Sequence, residues 1–261
     1  MAWLLLAPLL LAACGTAGEN VASTAEAVQQ CPAQTVEGID VFDGQGAVDW
    51  VAVADAGVVF AMIKATQGTY DTQSTFAANW IGAERAGVRR GAYHFFDPTE
   101  DGAAQAERFL SAVGPLAPGD LPPMLDLECP DGDADCLASG ASGDAAPGAI
   151  GVRMWAWLHA VEGATGRKPL VYTFSSYFAS SGVDAGGLGA YPLFLAYPSA
   201  GACVGVPAPW TRAALWQYSW TGAVRGVSVA VDRDRFLGSL AEFGSFGRVP
   251  DAASPDAAGC H

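Results

Sequence analysis

The chain has 261 residues, of which 51 % are hydrophobic and 15 % are charged, so it can bury a large core and is not disordered as a whole. Thirteen lysines and arginines stand against 27 aspartates and glutamates, which gives a formal net charge of −14. Because no stretch of the sequence is basic, the composition argues against a protein that binds nucleic acid through its phosphates. The acidic excess is spread along the chain, as is typical of a solvated surface.

The chain begins with the segment MAWLLLAPLLLAAC. This apolar run is too short to span a bilayer as a helix and it ends in small residues, which is typical of a cleaved export signal. The motif LAAC at 11–14 also resembles the lipobox of bacterial lipoproteins, in which cleavage leaves a cysteine that carries diacylglycerol. We therefore expect residues 1–14 to be a signal peptide of the lipoprotein type and Cys14 to be lipidated. The protein would be exported and anchored to a membrane, with secretion as the alternative.

Six cysteines are consistent with an oxidising compartment. If Cys14 is lipidated, five remain, so one is free or pairs with another chain. Cys129 and Cys136 flank an Asp/Gly-rich loop, which makes a local disulfide between them plausible. A zinc site is disfavoured because the sequence has no CxxC motif and only three histidines. We expect no metal and no cofactor.

Strand and helix patterns alternate along the chain between two flexible ends, a tether at 15–36 and a tail at 248–261. Apolar, β-rich runs predict eight strands, at 38–42, 58–65, 90–96, 123–128, 169–174, 192–197, 213–219 and 227–232. Helical patterns lie at 48–56, 75–86, 102–113 and 148–165. Glycines directly after the second and the fourth helix are typical C-caps.

This order predicts an α/β fold with parallel strands and right-handed crossovers. Eight strands in one domain, at 37–247, favour an irregular (β/α)8-type barrel. Little helical periodicity follows the fifth strand, so we expect some helices to be short or missing. An open doubly wound sheet is the alternative, but no GxGxxG motif follows the first strand. We expect a monomer.

Four carboxylates fall at the ends of predicted strands. Asp126 and Glu128 share one face of the fourth strand, Asp40 lies on the first strand and Asp232 on the eighth. Because the opposite, apolar faces would meet the helices, these acids would point into the barrel at the C-terminal ends of their strands, where barrel enzymes carry their chemistry. A carboxyl pair of this kind suits acid-assisted cleavage of a glycosidic bond. A cation site is the alternative, but it needs more oxygen ligands than the sequence supplies here.

The residues around these acids resemble glycoside hydrolase family 25, the Chalaropsis-type and phage-type lysozymes. The resemblance covers about residues 37–240 and runs through GIDV, QGAVDW, FAMIKATQGT, FAANWIGAERAG, GAYHFF, GDLPPMLDLE, PLVYT, PLFLAYP, WQYS and VDRDRF. It implies an irregular β/α barrel. It also implies hydrolysis of the β-1,4 bond between N-acetylmuramic acid and N-acetylglucosamine in peptidoglycan.

The resemblance implies a role for each site residue. Glu128 would be the general acid. Asp126 would be the nucleophile, or it would orient and stabilise the substrate's own 2-acetamido group. The other positions that match family motifs near the cleft, and would bind substrate, are Asp40, Asp232, Tyr93 and Trp216.

Several positions near the cleft depart from the family pattern. Phe42, Asp43 and Gly44 stand where the family usually has serine followed by polar or aromatic residues, Gln67 replaces a frequent acid and Phe194 replaces a frequent tryptophan. Asp43 would bring negative charge towards an anionic muropeptide, so replacing it with asparagine would improve kcat/KM.

Three functions remain open from the sequence. Retention of all four acids favours a peptidoglycan muramidase. The altered first loop favours a non-catalytic, lysozyme-like surface lipoprotein that binds glycan strands without cutting them. A glycosidase for a related N-acetylated polymer such as chitin is the third.

Overall fold

The structure is a computed structural model and describes residues 27–129, 147–181 and 183–248. Its strands are β1 (Val28–Gln30), β2 (Val36–Val41), β3 (Phe60–Gln67), β4 (Asp71–Thr72), β5 (Arg89–Phe95), β6 (Met124–Asp126), β7 (Leu170–Phe174), β8 (Leu193–Ala196), β9 (Val204–Val206), β10 (Leu215–Gly222) and β11 (Val231–Phe236). Its helices are α1 (Trp50–Asp55), α2 (Phe76–Arg85), α3 (Gly102–Val113), α4 (Pro147–Thr165), α5 (Ser175–Ser180) and α6 (Leu240–Ser245).

Eight of these strands close into a barrel. Their order is β2, β11, β10, β8, β7, β6, β5, β3, and β3 pairs back with β2. Neighbours in the barrel are parallel except at β11, which is antiparallel to both β10 and β2. Only residues 223–230, with no helix, join β10 to β11, and so short a connection returns the chain in the opposite direction. The predicted eight-stranded barrel with helices is therefore present, whereas a (β/α)8 barrel with all strands parallel is not confirmed.

Helices fill the first four crossovers, as the helical periodicity predicts. The side chains of Asp49 and Asp101 cap α1 and α3 by accepting hydrogen bonds from the first turns. Gly87 and Gly166 follow α2 and α4 with φ of 76° and 67°, the left-handed conformation expected of a C-cap. After β7, the described residues of the crossovers contain only α5, a single 3-10 turn at Leu188–Ala190 and the short strand β9. Among the described residues, no helix is long and apolar enough to cross a membrane.

Side chains alternate between the barrel interior and an outer core that lies between the barrel and its helices. The interior contains Phe60, Met62, Tyr93, Met124, Tyr172 and Phe194. The outer core contains Ile39, Val41, Leu125 and Leu127 together with residues of the helices. Asp40 and Asp126 each stand between two outer-core residues, so both point inward, as strand alternation predicts.

The segment before β2 is part of the fold rather than a tether. β1 pairs with β9 in an antiparallel ribbon, and the next residue, Cys31, forms a disulfide with Cys203. The prediction of a flexible tether at 15–36 is therefore wrong from residue 28 onwards, because strand pairing and a covalent bond fix these residues; residues 15–26 lie outside the described part. Cys129 is also disulfide-bonded. The predicted pairing with Cys136 stays a prediction, since residue 136 lies outside the described residues.

Candidate active site

Three strands bring acidic side chains to one end of the barrel, which we call the mouth. Asp40 and Asp126 lie at the C-terminal ends of β2 and β6, and Glu128 follows β6 directly. Asp232 reaches the same end from the opposite strand direction, because it stands at the start of the antiparallel β11 and pairs directly with Asp40. The prediction that Asp232 ends a parallel strand is thus wrong in direction and in boundary, yet the residue reaches the expected place.

The mouth acids act on one another and on the tyrosines beside them. Burial raises the pKa of Tyr93 well above its ordinary value, and the negative charges of Asp40, Asp126, Glu128 and Asp232 raise it further. The charges of all four acids therefore act on the predicted site residue Tyr93.

Asp126 is buried, and its carboxyl group has a strongly raised pKa. It is 5 % exposed, and burial followed by the charge of Glu128 raises its pKa well above the ordinary range. The positive charge of Lys64 acts in the opposite direction. Its Oδ1 atom is buried and makes no hydrogen bond within the described part of the chain. An unsatisfied buried acceptor is unfavourable unless a ligand supplies the donor.

Lys64 is a site residue that sequence reasoning did not single out, although it lies in the KATQGT stretch. Its Nζ atom is 2.8 Å from Oε1 of Gln67 and 4.4 Å from the centre of the Phe95 ring. Because Gln67 is neutral where a carboxylate is frequent in the family, it does not cancel the lysine charge that acts on Asp126.

Asp234, an acid, is a second residue that sequence reasoning missed. It is fully buried, and burial, followed by the charges of Asp40 and Asp232, raises its pKa well above the ordinary range. Neither of its oxygens accepts a hydrogen bond from an N–H or hydroxyl group among the described residues, but its carboxyl hydrogen-bonds with that of Asp40. A protonated Asp234 that donates to Asp40 accounts for both observations. Burial also raises the pKa of Asp40, to about 6.

Trp216 is not part of the substrate surface. Its ring is 1 % exposed and packs in the outer core, while its indole nitrogen donates to the backbone oxygen of Tyr197 at 2.6 Å. The neighbouring Gln217 has the inward orientation instead, because adjacent residues on a strand face opposite ways. Exposed aromatic rings within or just after the strands that end at the mouth include those of Phe42, Tyr70, Tyr197 and Trp220.

Asp43 has a structural role in the first loop. Its two carboxylate oxygens accept four hydrogen bonds at 2.6–2.9 Å, from the backbone nitrogens and hydroxyls of Ser74 and Thr75. These bonds lower its pKa although partial burial opposes them. Asp43 thus connects the loop after β2 to the start of α2. These contacts do not support the expectation that the only effect of Asp43 is to weaken substrate binding.

We now expect Asp43→Asn to destabilise the protein without improving kcat/KM. An amide has one acceptor oxygen where the carboxylate has two, so about half of these bonds are lost, at a cost of about 1 kcal/mol or more. Urea unfolding and peptidoglycan kinetics of the same preparation measure both effects. Glu107→Gln, which removes an equal charge from an exposed site on α3, is the matched control. A gain in kcat/KM at low salt confined to Asp43→Asn would restore the electrostatic explanation.

The sequence and the structure both match known proteins. The model of the glycosyl hydrolases family 25 matches residues 39–227. Lysozyme M1 of Streptomyces globisporus is 38 % identical over 220 residues, which cover 80 % of this chain and 71 % of that protein. The N,O-diacetylmuramidase of Chalaropsis sp is 34 % identical over 214 residues, which cover 76 % of this chain and 96 % of that protein. The crystal structure of the bacterial lysozyme from Streptomyces coelicolor superposes with a TM-score of 0.73 at 34 % identity, covering 82 % of this chain and 98 % of that one.

Proposed function

Because the chain belongs to glycosyl hydrolase family 25, we propose that it hydrolyses the β-1,4 bond between N-acetylmuramic acid and N-acetylglucosamine in peptidoglycan. The protein is a glycoside hydrolase, a peptidoglycan muramidase. The observation that carries this function is the meeting of four acids from three strands at one mouth, since like charges gathered in a partly buried site are unfavourable unless they do chemistry there.

Glu128 is the general acid in this proposal. It follows β6 and is only partly buried, whereas Asp126 is buried two residues earlier. Glu128 can therefore approach the glycosidic oxygen of a glycan strand that lies across the mouth. It protonates that oxygen as the bond to the anomeric carbon breaks, and its carboxylate later takes a proton from the attacking water.

Asp126 orients the 2-acetamido group of the N-acetylmuramic acid residue. Its buried Oδ1 atom lacks a donor among the described residues, and the acetamido N–H is a donor that the substrate brings. The acetamido oxygen then attacks the anomeric carbon as the leaving oxygen accepts the proton of Glu128, and the carboxylate of Asp126 stabilises the positive ring that forms. Burial and the charge of Glu128 raise the pKa of Asp126, and the charge of Lys64 opposes them in favour of the ionised form that this step needs. Direct attack by Asp126 is the alternative, and a thiazoline analogue of the cyclic intermediate, which would bind tightly only in the first case, separates the two.

Digestion of purified peptidoglycan tests the function. Mass analysis of the products should find muropeptides with reducing N-acetylmuramic acid ends, and chitin incubated in parallel should remain uncut. Cleavage of chitin at a comparable rate would favour the broader glycosidase. Binding to peptidoglycan with no release of muropeptides would favour the non-catalytic lipoprotein, which the retained acids and the named relatives disfavour.

We also propose that the protein is exported and tethered to a membrane through Cys14, which lies outside the described residues. The Cys31–Cys203 disulfide supports export, because disulfides persist in oxidising compartments. Intact-mass analysis of the membrane fraction should find the mass added by the lipid, and Cys14→Ser should release the protein into the soluble fraction. If the wild-type protein is found soluble and without the added lipid mass, the lipid anchor is contradicted and secretion remains as the explanation.

A further inference from the structure

Gln217 joins two of the mouth acids through its side-chain amide. Its Nε2 atom donates to Oδ2 of Asp40 at 2.8 Å and to Oδ2 of Asp232 at 3.3 Å. Its Oε1 atom accepts from the hydroxyl of Tyr172 at 2.9 Å and from the indole nitrogen of Trp220 at 2.8 Å. The side chain is 2 % exposed.

These four contacts permit only one orientation of the amide. Tyr172 and Trp220 offer donors, so they require the oxygen of Gln217, whereas two carboxylates require its NH2 group. A rotated amide would set its oxygen against both carboxylates and its N–H groups against the indole N–H, which has no acceptor to offer. The two donors behind Gln217 thus aim its NH2 group at the acids.

Asp40 and Asp232 need such a group because they are direct partners across β2 and β11. Two ionised carboxylates side by side repel each other, and a donor shared between them reduces that repulsion. We propose that Gln217 is a positioning residue, which holds Asp40 and Asp232 side by side as ionised acceptors and so fixes the negative field that stabilises positive charge at the anomeric carbon. This inference rests on the proposed muramidase chemistry of Asp126 and Glu128.

Other titratable groups also interact with these acids, and they come from five strands. They are Asp234 on β11, which hydrogen-bonds with Asp40, Tyr93 on β5, Asp126 and Glu128 at the end of β6, Tyr172 on β7, and Lys64 on β3, which acts on Asp126. All of them stay in place when Gln217 alone is changed. A change in the pH dependence of the reaction can then be attributed to the loss of the Gln217 side-chain amide.

Gln217→Glu tests the proposal because it preserves the shape of the side chain. The new carboxyl still accepts from Tyr172 and Trp220, but it has at most one proton to offer two acids. Asp40 and Asp232 should then hold protons more tightly, so the acid limb of kcat/KM should move to higher pH by about one unit. At pH values below the optimum kcat should fall about tenfold, and KM should change less.

Gln105→Glu is the matched control. Gln105 is a fully buried glutamine that hydrogen-bonds His94 and the backbone of Asp97, away from the four acids. Its replacement should lower the melting temperature and leave the acid limb unmoved. Circular dichroism establishes that each variant is folded before kinetics are compared.

Trp220→Phe provides a second test of the proposal if Gln217→Glu does not fold. Trp220 is 56 % exposed, so the protein should tolerate the change, which removes one of the two donors that hold the amide oxygen. We expect a severalfold loss of kcat and a smaller shift of the acid limb in the same direction. An acid limb at the wild-type position in the folded variants, or an equal shift in Gln105→Glu, would overturn the proposal. A wild-type protein that releases no muropeptides would instead contradict the proposed function.

Discussion

Glu128→Gln should lower kcat for peptidoglycan by about 10²–10⁴-fold, the usual contribution of a positioned proton donor. The amide preserves the size of the side chain but has no proton that it can transfer to the glycosidic oxygen. Binding should persist, because the remaining acids and the aromatic rings at the mouth are unchanged. In the wild-type protein the rate should fall on the alkaline side of the optimum, as the donor loses its proton, and this limb should be absent from any residual activity of the variant.

Two measurements separate the effect of Glu128→Gln on the chemical step from its effect on binding. Muropeptide release under single-turnover conditions gives the chemical step, and co-sedimentation with insoluble peptidoglycan gives binding. Glu107→Gln serves again as the charge-matched control on α3, and its turnover should equal that of the wild type. Near-wild-type turnover of Glu128→Gln would show that another group donates the proton.

Asp126→Asn should also lower kcat severely, by about 10²-fold or more, because the charge that stabilises the positive intermediate disappears. The same change should make the protein more stable at neutral pH. Burial raises the pKa of Asp126, so between its ordinary value and its value in the fold the native state binds more protons than the unfolded state. Stability therefore falls as the pH rises through that window. Because asparagine does not titrate, the variant does not lose stability in this way as the pH rises.

Thermal melting at several pH values tests the second half of that prediction. The melting temperature of Asp126→Asn should exceed that of the wild type at pH 7, and the difference should shrink as the pH falls and Asp126 becomes protonated. Asp40→Asn and Asp232→Asn should lose less kcat than Asp126→Asn. Retained turnover in Asp126→Asn would remove this residue from the mechanism, whereas lost turnover without a gain in stability would show that contacts with Lys64 outweigh the burial of the charge.

Strand alternation was sufficient to predict the faces of β2 and β6. Asp40 and Asp126 are each flanked by apolar residues, and the apolar face had to meet the helices, so the inward direction of the acids followed. The same rule, applied to Leu215, Trp216 and Gln217, would have turned the tryptophan outward. The family resemblance places Trp216 near the cleft, whereas its position in the alternation places it in the outer core.

The last strand shows what a local pattern cannot reveal. An alternating apolar run predicted a strand at 227–232, but β11 begins at Val231, and Val229 is 49 % exposed in the loop before it. The direction of β11 follows from its short connection to β10 and from its pairing with β2, which is far away in sequence. A useful clue was the alternation of VDRDRF, in which Arg233 and Arg235 bind Glu37 on β2, so that Asp232 and Asp234 face the other way.

Sequence reasoning does not predict long-range contacts either. Asp43 bonds to residues 31 and 32 positions away, and nothing near it in the sequence indicates those partners. Cys31 and Cys203 are separated by 172 residues, so their pairing could not be deduced from cysteine spacing. Both contacts depend on how the barrel closes, which is a property of the whole chain.

The ribbon of β1 and β9, with its disulfide, determines how the barrel responds to mechanical tension. A pull on the N-terminal segment, such as a membrane anchor would exert on an enzyme bound to a rigid wall, reaches β1 and Cys31 before it reaches β2. The covalent bond then passes the load to Cys203, between β8 and β9, and β2 is not peeled from its neighbours. Since β2 holds Asp40 and closes the barrel between β3 and β11, the disulfide keeps the mouth intact under force.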